Sequence, residues 1–268
     1  MILTSLDTKN SIIIGARETW TTGAITNYSN FSMSGQWLHK MNDENSLYLS
    51  VAQSFIMPTF AEMYRSGDQA VPNPNLKPQK GMNYEVGWKQ NHGDHSWKAA
   101  LFYAHIKDNI SSKYDKTNKI YTYTNDEYKN MGVELSYDYS PEGKFAYNCG
   151  LTYMNPLTRS KGSVKDYWDR KFGKIQITGG ITYKIGKFTT NFNASYLADR
   201  VMCPSTSHSY PTKPYLLTSM NFLYSPDKNS EISLEIDNVL NRHDNVMHTS
   251  SDYYTPPTNF MLSYNYKF

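Results

Sequence analysis

The chain has 268 residues and a net charge of +3, and aromatic residues occupy 15% of its positions. Its mean hydropathy is −0.64, and it contains no run of about 18 consecutive apolar residues, so a helical membrane span is excluded. The small positive charge is not that of a nucleic-acid-binding protein.

The sequence predicts a series of extended segments in which apolar and polar residues alternate. In the last of them Phe260, Leu262 and Tyr264 share one face, and Ser263 and Asn265 share the other. Side chains of a strand alternate with period two, so these segments have one apolar and one polar face, except 96–107, where both faces carry apolar residues. About twelve strands are predicted by this pattern, at 11–19, 28–41, 46–54, 82–88, 96–107, 120–139, 145–153, 175–183, 188–196, 216–224, 232–236 and 260–268.

The connections between the predicted strands alternate between two kinds. The short polar turns are at 42–45, 91–94, 140–143, 185–187 and 225–228. The long connections are at 55–79, 109–118, 155–172, 200–213 and 241–259. Outer-membrane barrels have short periplasmic turns and long outer loops, whereas soluble β-sandwiches mix their connection lengths. The pattern predicts an all-β, antiparallel transmembrane β-barrel, with a soluble sandwich or solenoid as the alternative.

In a barrel of this kind the apolar face of each strand contacts lipid, and the polar face lines the lumen. Ser136 is predicted to be lumenal because its neighbours on both sides are apolar. The residues predicted to face outward in the middle of the chain are Met131, Val133, Leu135, Tyr137, Phe145, Tyr147, Leu151 and Tyr153.

Several motifs resemble those of TonB-dependent outer-membrane receptors. Residues 54–64, SFIMPTFAEMY, resemble a segment in which a strand ending in Phe is followed by Pro and then by Glu-x-Tyr. Residues 73–79, NPNLKPQ, are similar to the family's NPNLKPE element, with Gln79 in place of Glu. The remaining matches are YEVG at 84–87, GVEL at 132–135, DNVLNR at 237–242 and the terminal aromatic residue Phe268.

This resemblance implies that residues 1–268 form one domain, the C-terminal portion of a barrel of about 22 strands. It implies an outer-membrane receptor that takes up a ferric siderophore, haem or cobalamin with the TonB system, and no enzymatic activity. The chain is expected to lack the plug domain, the energy-coupling segment and a signal peptide, and thus to be a truncated fragment. The implied partners are outer-membrane lipid, the barrel-assembly machinery acting through Phe268, the missing plug and N-terminal half, the TonB system and an iron chelate.

Ligand contacts are expected from arginine and aromatic residues in or beside the long loops. Arginine offers planar, bidentate donors to carboxylate or catecholate oxygens, and aromatic rings offer stacking faces. The candidates are Tyr64, Arg65, Trp168, Arg170, Arg200, Tyr210 and Arg242. His243 and His248 share one loop and are either metal or haem ligands or ordinary loop residues.

No catalytic, cofactor-binding or metal-binding motif is predicted, because the sequence has no phosphate-binding glycine loop, zinc motif or nucleophile elbow. The alternative to a receptor is a free-standing small outer-membrane barrel that acts as a porin or adhesin. A barrel enzyme would require an acid–base cluster at the barrel mouth, and the sequence does not suggest one.

Overall fold

The computed structural model describes residues 2–21, 27–64, 70–115, 119–204, 207–249 and 252–268. In these ranges the one helix, α1 (Phe60–Tyr64), is not long enough to cross a membrane. The strands in chain order are β1 (Ile2–Ser5), β2 (Asn10–Thr21), β3 (Tyr28–Lys40), β4 (Asn45–Ile56), β5 (Ala70–Val71), β6 (Gln79–His92), β7 (His95–Asp115), β8 (Ile120–Tyr139), β9 (Phe145–Met154), β10 (Leu157–Arg159), β11 (Asp169–Arg170), β12 (Ile175–Ile185), β13 (Phe188–Ala198), β14 (Arg200–Met202), β15 (Tyr210–Thr212), β16 (Tyr215–Tyr224), β17 (Ser230–Asp237) and β18 (Asn259–Tyr266).

The principal strands form one antiparallel sheet in which each strand pairs with the next one along the chain. The order is β1-β2-β3-β4-β6-β7-β8-β9-β12-β13-β16-β17-β18, and the very short strands lie off this path. In the part of the chain that the structure describes, β1 pairs only with β2 and β18 only with β17. The sheet is therefore a partial barrel with two open edges, which confirms the predicted all-β, antiparallel fold class.

The short strands β5, β10, β11, β14 and β15 lie in segments that were predicted to be loops. The strands on the main path differ from the prediction in two further places. β1 precedes the first predicted strand, so the path contains thirteen strands rather than about twelve. β7 extends to Asp115, so residues 109–115 of the segment 109–118, which was predicted to be a loop, belong to a strand. The β7–β8 register shifts between Ile106 and Asn109, where Asp108 has a φ of 52°. Such a bulge interrupts the alternation of side chains, so the sequence pattern ends there although the pairing continues.

The register places the predicted outward residues of β8 and β9 on one face. Val133 is opposite Tyr153, and Leu135 is opposite Leu151. Leu135 is 45% exposed and Tyr153 is 49% exposed, as expected of side chains whose solvent is lipid rather than a protein core.

Aromatic rings are concentrated on this outward face near the short turns. The ring centroids of Trp97 and Tyr137 are 4.1 Å apart, and those of Phe188 and Tyr224 are 4.5 Å apart. The indole of Trp88 donates a hydrogen bond of 3.1 Å to Asn45 at the end of the neighbouring strand. Rings with one apolar and one hydrogen-bonded end are characteristic of the aromatic girdle at a membrane surface.

Candidate functional site

Three of the long connections, 155–174, 199–214 and 238–258, are joined into one outer loop body. Its centre is Arg200, which is 2% exposed. The guanidinium donates hydrogen bonds of 2.7 Å to the carbonyls of Lys213, Asn245 and Met247, and it lies 4.5 Å from the ring centre of Tyr215. These contacts satisfy carbonyl groups of two loops with one side chain, so Arg200 fixes the position of one loop relative to the other.

His248 is packed beside this arginine. Its Nδ1 is 3.2 Å from the carbonyl oxygen of Val201, and its ring centre is 4.1 Å from that of Phe172. Burial, together with the positive charge of Arg200, lowers the pKa of His248 to about 4. Its Nε2 is buried and has no hydrogen-bond partner among the described residues. The imidazole of His248 is therefore uncharged at neutral pH when the loop body is packed.

A buried ion pair joins the loop 155–174 to the loop 199–214. The ammonium of Lys165 is 2.6 Å from a carboxylate oxygen of Asp169 and 3.0 Å from the carbonyl of Pro204. Asp169 also accepts hydrogen bonds from the backbone N–H and the hydroxyl of Ser209, at 2.8 and 2.6 Å. Burial opposes ionisation of Asp169, but the donors from Lys165 and Ser209 outweigh it and hold its pKa below the ordinary value.

The loop 238–258 carries exposed polar and aromatic groups. Arg242 donates hydrogen bonds to both carboxylate oxygens of Asp244, at 2.7 and 3.1 Å, and 42% of its side chain is exposed. His243 is exposed and stacks on Tyr254 with the ring centres 4.3 Å apart and the planes 3° apart. No group of three or more His, Cys, Asp or Glu side chains among the described residues is arranged to hold a metal ion.

A groove of about 570 Å³ lies on the lumenal face beneath this loop, and it is called the polar groove here because most of its lining residues are Asn, Asp, Ser or Thr. Its walls come from β9, β12, β13, β16, β17 and β18, and Thr255 and Pro256 of the loop line one side. The polar residues in its lining include Asn148, Thr178, Asn193, Ser195, Ser219 and Asp237. The alternation of polar residues could have located this groove, but only the strand order brings those residues together.

A second lumenal group of charges lies on β4, β6, β7 and β8. Gly87 leaves space for the ring of Tyr48, and the Tyr48 hydroxyl donates a hydrogen bond to Glu85. The ammonium of Lys98 is 3.8 Å from Glu85 and 3.6 Å from Glu134. Two carboxylates therefore share one lysine on the wall that faces the interior of the barrel.

The candidate ligand residues do not form one cluster and lie in different parts of the structure. Tyr64 ends α1, which begins with reciprocal hydrogen bonds between Thr59 and Glu62 at 2.7 and 3.2 Å, a capping box. Arg65 lies outside the described residues. Arg170 is 3.0 Å from Asp199 and also donates to its carbonyl, while Tyr210 is exposed on β15.

Trp168 lies on the outward side of the wall rather than beside the polar groove. Its ring centre is 4.0 Å from the ammonium of Lys129 and 5.1 Å from the guanidinium carbon of Arg159. Lys129 shares a face with Met131, two residues further along β8. Thus, of the six candidates that the structure describes, only Arg242 is both exposed and part of the loop that covers the groove.

The open antiparallel sheet, its apolar outward face and its joined outer loops define an outer-membrane β-barrel. The chain belongs to the TonB-dependent receptor-like β-barrel family, whose pattern matches residues 4–239. Members of this family reside in the outer membrane, which confirms the predicted location and the predicted resemblance.

The chain is also similar in sequence to two curated proteins and similar in fold to solved structures. The chain is 28% identical to a hemin receptor of Yersinia pestis over 193 residues, covering 62% of the chain and 28% of the relative. It is 28% identical to a hemin receptor of Yersinia enterocolitica over 135 residues, covering 43% of the chain and 17% of the relative.

The fold matches the copper transporter OprC, with a TM-score of 0.74, 15% identity and coverage of 99% of this chain and 46% of that one. It also matches the FrpB iron transporter of Neisseria meningitidis, with a TM-score of 0.73, 16% identity and coverage of 99% and 44%. The chain thus spans less than half of the length of these proteins.

Proposed function

We propose that residues 1–268 form one domain, the C-terminal barrel portion of an outer-membrane receptor that imports haem or a similar anionic iron chelate. The observation that carries the proposal is the 193-residue similarity to a hemin receptor. In this proposal the plug and the remaining strands are supplied by a segment beyond these residues, the TonB system provides the energy, and the assembly machinery engages the chain through Phe268.

The loop 238–258 supports haem as the first substrate to test. Haem has a flat apolar ring, acidic side groups and an iron atom that accepts imidazole or phenolate as an axial ligand. His243 presents an exposed imidazole that is held flat against Tyr254, and Arg242 presents a guanidinium next to it. A ferric siderophore would use the arginine and the rings but would not require the histidine, so the two substrates are distinguishable.

The test is to titrate haem into outer-membrane fragments that contain the full chain and to measure binding from the absorbance spectrum of the haem. His243→Ala is expected to weaken haem binding by about tenfold or more, equivalent to about 1.4 kcal/mol, and to shift the haem spectrum. The matched control is His92→Ala, because His92 is exposed at the opposite end of the barrel, where its Nδ1 is 2.7 Å from Glu44.

Equal affinity and spectra in wild type, His243→Ala and His92→Ala would refute haem as the ligand of this loop. Binding of a ferric catecholate that is weakened by Arg242→Ala but unchanged by His243→Ala would instead favour a siderophore.

A further inference from the structure

Successive rows of side chains on the outward face mark the upper limit of the apolar band. The lowest row is apolar and comprises Val51, Tyr84, Tyr103 and Met131, directly paired across β4, β6, β7 and β8. The next row comprises Gln53, Met82, His105 and Lys129. Above them Lys80 lies four residues from Tyr84 along β6, a distance of about 14 Å at the usual rise of a strand. The outward face therefore changes from aromatic to cationic within about 14 Å along the strand.

Lys80 and Lys107 are directly opposite each other on β6 and β7. Directly opposed side chains have Cβ atoms about 4.5–5.5 Å apart, and like charges in this position destabilise a sheet. Both lysines are exposed, and neither forms an ion pair with any residue in the described ranges. The pair is thus a concentration of positive charge without an internal counter-charge.

The acidic residues near this pair do not neutralise it. The carboxylate of Glu127 accepts a hydrogen bond of 3.0 Å from the Nε of Arg159 and also forms an ion pair with Lys161. Asp108 follows Lys107 in the chain, but it lies at the bulge and forms no ion pair with any of the described residues. Lys129 lies against Trp168 and adds a further positive charge to the same face.

A groove of about 320 Å³ lies next to the two lysines. It arises because β3 and β4 pair only as far as Ser34 and Ala52, whereas β4 continues its pairing with β6 to Ile56. Phe31, which is 57% exposed, and Met82 give it an apolar part, and Lys80, Lys107 and His105 give it a basic part. This combination suits a molecule with an anionic head and an apolar body.

We propose that this groove binds a phosphate-bearing lipid of the outer leaflet. The phosphate lies between the ammonium groups of Lys80 and Lys107 and provides the counter-charge that the chain lacks there, in charge-assisted hydrogen bonds. The apolar part of the lipid packs on Phe31 and Met82 and continues along the outward face below. The site is on the opposite side of the wall from the polar groove, so it is independent of the proposed substrate.

The experiment is native mass spectrometry of the full chain, released from detergent micelles after addition of lipid A, a phosphorylated glycolipid. The double variant Lys80→Gln/Lys107→Gln is expected to weaken retention of lipid A by about tenfold or more, about 1.4 kcal/mol. The matched control is Lys144→Gln/Lys228→Gln, which removes the same charge from exposed lysines in the short turns. Lys80→Arg/Lys107→Arg keeps the charge and is expected to retain the lipid, which separates loss of binding from failure to fold.

Two further arms distinguish the source of the phosphate. Dephosphorylated lipid A is expected to bind poorly, and inorganic phosphate in excess is expected not to displace lipid A. Without lipid, the Gln double variant is expected to unfold at a higher temperature than wild type, because the repulsion between the two lysines is removed. Retention of lipid A by the Gln variant, equal binding of the dephosphorylated lipid, or complete displacement by inorganic phosphate would each overturn the proposal.

Discussion

Arginine side chains in the outer loops serve two different purposes, and their burial distinguishes them. Arg200 is enclosed and gives its hydrogen bonds to three carbonyls of the chain itself. Arg242 is exposed and is paired with a single carboxylate, that of Asp244. A buried guanidinium whose Nη1 and Nη2 atoms donate to carbonyls of the chain holds loops together, whereas an exposed one remains accessible to a ligand.

Arg200→Ala is expected to loosen the loop body without affecting the membrane strands. Each buried carbonyl that loses its donor costs about 1–3 kcal/mol, and three carbonyls share this arginine. The measurement is the rate at which an external protease cleaves the loops in intact outer-membrane fragments. Arg242→Ala is the control and is expected to be cleaved at the wild-type rate. If Arg200→Ala were cleaved as slowly as Arg242→Ala, the proposed structural role of Arg200 would be contradicted.

His248 is expected to make the stability of the same loop body depend on pH. The pKa of His248 is lowered to about 4 in the folded loops, compared with about 6.5 for an unperturbed histidine. Its contribution to stability is therefore present above pH 6.5 and is lost as the pH falls from 6.5 towards 4. Loop cleavage should accelerate over this interval in wild type and not in His248→Gln. A variant with the same pH profile as wild type would contradict this role.

At the scale of elements, β8 and β9 show how alternation assigns the two sides of the wall. Leu135 is opposite Leu151 on the outward face, whereas Ser136 is opposite Lys98 on the lumenal face. The two positions are adjacent in the sequence and differ only in which solvent they meet. Substitutions at them therefore compare lipid and lumen at one depth.

Leu135→Arg is expected to reduce membrane insertion, and Ser136→Arg is expected to leave it nearly unchanged. An arginine facing lipid near mid-bilayer costs about 2–4 kcal/mol, whereas lumenal substitutions are tolerated. The measurement is the fraction of the chain that resists urea extraction from outer-membrane fragments. Equal fractions for the two variants would show that the faces are assigned incorrectly.

At the scale of the whole molecule, the two open edges determine what the chain can do by itself. β1 and β18 each have one paired neighbour among the described residues, and lipid cannot satisfy free backbone groups, which cost several kcal/mol each. Pairing with further strands, or closure on itself, is required for a stable wall. The two solved proteins of the same fold are each more than twice as long as this chain, which covers 46% and 44% of them.

The chain alone is expected not to support energised uptake. A strain that lacks its own receptors and expresses only this chain should fail to grow on haem, a ferric siderophore or cobalamin as the required nutrient. Growth that depends on the proton-motive force would contradict the proposal that a plug and further strands are needed. Growth that is independent of that force would indicate a leak and would favour the alternative of a small porin.

Much of the sheet is predictable from the sequence because a strand in a barrel meets two different solvents. Lipid selects Leu135 and Tyr137, and water selects Ser136 between them, so the period of two appears directly in the order of residues. The extension of β7 beyond Asp108 was not predictable, because the bulge at Asp108 interrupts the alternation of side chains although the pairing with β8 continues.

The sequence by itself determined the all-β class, the outward face and the family, through the alternation of residues and the motifs at 54–64 and 73–79. Only the tertiary structure decided that Arg200 and His248 are enclosed, that Trp168 covers Lys129, and that Lys80 is opposite Lys107. The physical reason is that alternation is a local consequence of the extended backbone, whereas contacts between loops and across strands depend on register and pairing between residues far apart in the chain.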